Sequence, residues 1–88
     1  ESITSIADGD LVVIDSGARY GKGPCGYGSD VTRTYPANGR FSDRQKEVYS
    51  VVLESLETTI SAVKPGIAYA ELDSISRKII SEAGFGDF

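Results

Sequence analysis

Leu11-Val-Val-Ile-Asp-Ser-Gly-Ala-Arg-Tyr-Gly-Lys-Gly-Pro-Cys-Gly-Tyr-Gly-Ser-Asp-Val-Thr-Arg-Thr34 decides the fold, because it holds two strand-like runs joined by a glycine-rich segment. Residues 11–14 are apolar on both faces and predict a strand covered on both sides. Residues 21–26, rich in glycine and carrying Pro24, predict the turn. A second strand is predicted from about residue 27 to residue 35. It puts Asp30, Thr32 and Thr34 on one face and Val31, Arg33 and Tyr35 on the other. Folding back at the middle of the turn sets Asp15 directly against Asp30. Like charges placed across a strand pair are destabilising, and a shared proton or a shared metal ion would reconcile them. The plainer alternative is that such aspartates are solvated or cap local backbone groups. Asp8, Asp10 and Asp43 are best read that way.

Outward from the hairpin, the turn at residues 7–10 launches the first strand, and Pro36 with Asn38-Gly39 ends the second. Ser42-Asp-Arg-Gln45 then has the form of a capping box. Behind it, Val48, Val52, Leu56, Ile60 and Val63 recur every three or four residues. That spacing predicts one apolar stripe on a helix of about five turns, stopped by Lys64-Pro-Gly66. A second helix is predicted from about residue 70, with Leu72, Ile75, Ile79 and Ala83 inward and Gly84 as its stop. Both stripes read as core for a face of the sheet. The fold class is therefore α+β: an antiparallel hairpin with two covering helices.

At 88 residues this is one small domain or a piece of a larger one, with a modest core. The first residue is Glu1, not Met, which predicts that the chain was cut from something longer. A net charge of −4, with Lys and Arg scattered, argues against nucleic acid as a partner. No apolar run approaches membrane-spanning length and no signal-peptide pattern opens the chain, so no membrane partner is expected and the cytoplasm is the default compartment. Cys25 is the only cysteine, which rules out a disulfide framework or a thiolate cluster within this chain. Histidine is absent altogether. Ser-His-Asp and Cys-His catalysis and histidine-ligated zinc are thereby excluded within these residues.

The motif Asp15-Ser-Gly17 after an apolar strand also fits a dimeric aspartic protease, in which Asp15 would share a proton with its twin. Two capped helices in the second half count against that reading. The metal reading uses both Asp15 and Asp30, whose hard carboxylate oxygens suit Mg²⁺, Mn²⁺ and similar ions. Thr32 and Thr34, on the face of Asp30, offer hydroxyls that would support the ligands.

Asp10-Leu-Val-Val-Ile-Asp-Ser-Gly-Ala-Arg-Tyr20 and Gly26-Tyr-Gly-Ser-Asp-Val-Thr-Arg-Thr-Tyr-Pro-Ala-Asn-Gly-Arg-Phe41 together resemble the Xaa-Pro peptidase branch of the pita-bread metallopeptidases. That branch contains aminopeptidase P and prolidase. The resemblance continues through Gln45-Lys-Glu-Val-Tyr49, Val52-Leu-Glu-Ser-Leu-Glu57 and Lys64-Pro-Gly66, and fades in the last helix. It implies a partial pita-bread fold, with residues 1–88 forming an incomplete, N-proximal part of the catalytic domain. It also implies that Asp15 ligates one metal ion, that Asp30 bridges two, and that a histidine and two glutamates elsewhere complete the site. The implied cofactors are two divalent ions, often Mn²⁺. The implied substrate is a peptide with proline at the second position, and a homo-oligomeric parent is compatible with it. Without the remaining ligands, this chain alone is expected to be inactive. Pita-bread domains also occur as non-catalytic binding modules, and that is the main alternative. The segment around Lys22-Gly-Pro-Cys25 is longer than the family pattern, a difference that a hairpin tip can absorb.

Overall fold

β-Branched and aromatic residues on either side of the glycine-rich tip form one antiparallel hairpin. The computed structural model describes residues 4–87. In it, β1 (Leu11–Ser16) pairs with β4 (Val31–Pro36), and β2 (Arg19–Tyr20) pairs with β3 (Tyr27–Gly28). Leu11 stands opposite Pro36, Asp15 opposite Thr32, and Ser16 opposite Val31. Past a short break, Arg19 faces Gly28 and Tyr20 faces Tyr27. Gly17 and Ala18 on one strand and Ser29 and Asp30 on the other make up the break. Equal lengths mean that it is not a bulge, and one register runs through the whole hairpin.

The tip fixes that register. A 3-10 turn, Gly23–Cys25, is closed by the Gly26 N–H donating to the Gly23 carbonyl at 3.3 Å. The chain therefore folds back one residue later than the midpoint between the two aspartates. The direct Asp15–Asp30 opposition predicted from sequence is corrected: Thr32 takes the place opposite Asp15. The predicted second strand also proves to be two, split at Ser29-Asp30. At the open end, the Asp10 N–H donates to the Ala7 carbonyl (3.1 Å) and the Ala7 N–H to Asp10 Oδ2 (2.9 Å). Asp10 is thus a capping carboxylate, as expected.

Val13 and Ile14, on opposite faces of β1, are 64% and 51% exposed. Both belong to a two-stranded sheet, a single layer.

The chain divides at Ser42 and Asp43 into two units, and the second is a helix pair. α1 (Asp43–Ala62) begins directly after Ser42, where the capping box places its N-cap. Pro65 and Gly66 (φ 90°) turn the chain, with the Ile67 N–H donating to the Lys64 carbonyl at 3.3 Å. α2 (Tyr69–Glu82) follows. At its end the Gly84 N–H bonds to the Ser81 carbonyl (3.0 Å) and the Phe85 N–H to the Ile80 carbonyl (3.1 Å). With Gly84 at φ 92°, this is a Schellman motif, and it turns Phe85 back beneath the Arg44 guanidinium, 4.8 Å from the ring centre.

The helix contact differs from the predicted stripe. Val52, Leu56, Ile60 and Val63 are between 55% and 62% exposed. The less exposed line of α1 is Val48, Val51, Ser55, Thr59 and Ala62. Ser55, only 4% exposed, donates its hydroxyl to Ser76 of α2, at 3.0 Å to Oγ and 3.2 Å to the carbonyl. Small side chains let two helices approach closely, so they win the contact over the bulkier stripe. On α2, Leu72, Ile75 and Ile79 are half-buried as expected, whereas Ala83 is exposed. Replacing Ser55 with Leu is expected to force the helices apart. Overpacking of this kind costs about 1–3 kcal/mol, and denaturant unfolding of the complete polypeptide would report it.

Candidate metal centre

Asp15 lies near the end of β1, between the ladder pairs Ile14–Arg33 and Ser16–Val31. The Thr32 hydroxyl donates to Asp15 Oδ1 at 2.9 Å, which fixes the plane of the carboxylate and leaves Oδ2 open. Thr32 was expected on the face of Asp30, and the register confirms that it shares a face with Asp15 too. Asp30 lies two residues before Thr32, in the break, at the register position across from Gly17, where strand alternation assigns it to that same face. Asp15 and Asp30 are therefore diagonal neighbours. Diagonal residues on one face of a strand pair lie about 7–8 Å apart, far enough to relieve the direct repulsion and near enough to address a common centre.

Both carboxylates are exposed, and their hard oxygens match divalent ions of the Mg²⁺ and Mn²⁺ kind. Among the described residues no group of three or more His, Cys, Asp or Glu side chains is gathered in one place. The residues present fit part of a metal site.

Strand periodicity did not single out Gly17 and Ser29, which shape the break beside Asp30. The Ser29 N–H donates to the Ala18 carbonyl at 2.8 Å. The Ala18 N–H donates to the Ser29 hydroxyl at 3.1 Å, and that hydroxyl also lies 3.3 Å from the Ala18 carbonyl. The Ser29 carbonyl faces Gly17 so closely that a Cβ added there would stand 2.5 Å from it. A serine before an aspartate and a glycine after a strand were the available signals.

A hairpin carrying Asp15 and Asp30, followed in sequence by a helix pair, is the arrangement that a partial pita-bread domain requires. Comparison with known proteins agrees. The pattern of Metallopeptidase family M24 matches residues 1–88. The chain is 48% identical over 83 residues to the Xaa-Pro dipeptidase of Pyrococcus furiosus, a match spanning 94% of this chain and 22% of that protein. It is 46% identical over 72 residues to the Xaa-Pro aminopeptidase of Escherichia coli, covering 82% of this chain and 15% of that protein. The crystal structure of the prolidase from Pyrococcus horikoshii superposes with a TM-score of 0.81 at 43% identity, covering 99% of this chain and 24% of that one. The chain belongs to metallopeptidase family M24 and has part of the pita-bread fold. The family match also reaches through α2, further than the quoted resemblance did. The aspartic-protease reading of Asp15-Ser-Gly17 is set aside by this membership. No helix among the described residues is long and apolar enough to cross a membrane.

Proposed function

We propose that the polypeptide carrying this chain is an Xaa-Pro exopeptidase, cleaving the bond between an N-terminal residue and a following proline. The observation that carries this reading is the Thr32 hydroxyl bonded to Asp15, with Asp30 two residues before Thr32 in the same hairpin. It is supported by relatives that are named Xaa-Pro dipeptidase and Xaa-Pro aminopeptidase. Asp15 and Asp30 would hold two divalent ions, Mn²⁺ being the proposed metal. When bound, such ions polarise a carbonyl and supply a water nucleophile at neutral pH. Asp15 serves as an oriented ligand because its hydrogen bond from Thr32 holds one oxygen and presents the other. Asp30 contributes the second anionic group on that face. A histidine and two glutamates from the rest of the polypeptide complete the proposed ligand set, so the 88-residue chain alone is inactive.

The test compares hydrolysis of short peptides with proline or alanine at the second position by the complete polypeptide. Preferential release of the N-terminal residue before proline is expected; equal cleavage of both, or of neither, sinks the reading. Thr32→Val removes the hydroxyl while keeping the shape. Loss of a hydrogen bond behind a metal ligand typically weakens metal affinity about 10–100-fold. Calorimetric titration with Mn²⁺ should show that weakening with little change in unfolding temperature, since Thr32 is exposed.

A further inference from the structure

We infer that Ser29 and Gly17 form a positioning device for Asp30, an inference that rests on the metal-site reading above. In a regular antiparallel ladder, Ala18 and Ser29 would exchange two backbone hydrogen bonds. One of them is made, from the Ser29 N–H to the Ala18 carbonyl at 2.8 Å. In place of the other, the Ala18 N–H takes the Ser29 hydroxyl at 3.1 Å. The Ser29 carbonyl is thereby released from the ladder and lies against Gly17, in the space that a side chain would need. That carbonyl belongs to the peptide unit joining Ser29 to Asp30, so the rotation that frees it also sets the direction of the Asp30 backbone.

The two residues work together. Serine supplies the substitute acceptor that lets the Ser29–Asp30 peptide leave the ladder. Glycine supplies the vacancy into which its carbonyl turns. Without the hydroxyl, the Ser29 carbonyl is the protein acceptor that the ladder offers the exposed Ala18 N–H, and that bond draws the peptide back. With a Cβ at position 17, a 2.5 Å approach to a backbone oxygen pushes the same peptide back from the other side. Either change redirects Asp30 while leaving its carboxylate in place chemically. Neither Ser29 nor Gly17 touches the substrate in this scheme; both act through Asp30.

The experiment uses the complete polypeptide and its Ser29→Ala, Ser29→Thr and Gly17→Ala variants, titrated with Mn²⁺ by calorimetry. Hydrogen exchange at the Ala18 amide is followed in parallel. Ser29→Ala and Gly17→Ala are each expected to weaken Mn²⁺ binding about 10–100-fold. Ser29→Thr, which keeps the hydroxyl, should stay within about threefold of the parent, well short of the weakening expected when outer hydrogen bonds are lost. If Ser29→Ala fails to fold, Gly17→Ala carries the same expectation. A parent that binds Mn²⁺ and variants that bind it equally well would overturn the device while leaving the peptidase reading intact. Equal weakening by Ser29→Thr and Ser29→Ala would overturn it as well, since a hydroxyl would then not be what matters. A parent that binds no divalent ion would overturn the metal-site reading itself.

Discussion

Asp30→Asn in the complete polypeptide is expected to lower the rate of Xaa-Pro cleavage to below about a thousandth, equivalent to roughly 4 kcal/mol of barrier. Asparagine has nearly the shape of aspartate but is neutral and replaces one oxygen with an NH2 group, so it would not hold two cations together. The fold has little stake in the change. Asp30 is exposed and lies in the ladder break, outside β3 and β4. Exposed substitutions of this kind shift stability by about 0.5 kcal/mol or less. Steady-state kinetics and thermal unfolding, measured on the same preparation, separate the two effects. Substantial activity in a folded Asp30→Asn protein would remove Asp30 from the site.

Removing metal is expected to have an effect of similar size. Dialysis against a chelator should reduce cleavage by about a hundredfold or more, because the polarisation that divalent ions provide is worth several kcal/mol. Readdition of Mn²⁺ should restore it. Carboxylate oxygens are hard donors, which is why Mn²⁺ and Mg²⁺ are the ions to try before softer ones. A non-catalytic binding module would show no cleavage to lose. An aspartic protease would ignore the chelator and respond to pepstatin-like inhibitors instead. Full activity after exhaustive chelation would therefore end the metallopeptidase proposal.

The elements themselves were legible in the sequence. An apolar run and a glycine-rich turn marked the hairpin, and capping and stop residues placed both helices within a residue or two of where they lie. Register was not legible, because it depends on how Gly23–Cys25 turns at the tip, and glycine-rich segments admit several turns. The misreading moved the partner of Asp15 from Asp30 to Thr32. That is a shift of two residues, and side chains alternate with a period of two, so the face assignment survived. Only the residue directly opposite Asp15 was misplaced. The helix contact failed for a different reason. Apolar periodicity ranks residues by hydrophobicity, whereas Ser55 and Ser76 meet because they are small and can bond to each other. Polar small residues give a periodicity scan nothing to detect.

The closure at Gly84 and Phe85 also orders events in time. A chain leaving the ribosome exposes α1 first, then α2, and only then the two residues whose N–H groups bond the Ser81 and Ile80 carbonyls. Until Phe85 emerges, Arg44 has no ring beneath it and the start of α1 is not tied to the end of α2. The helix pair therefore carries its own completion signal, arriving some forty residues after its first turn. A nascent chain stalled just before Gly84 should hold two helices, and one stalled just after Phe85 should hold a clasped pair.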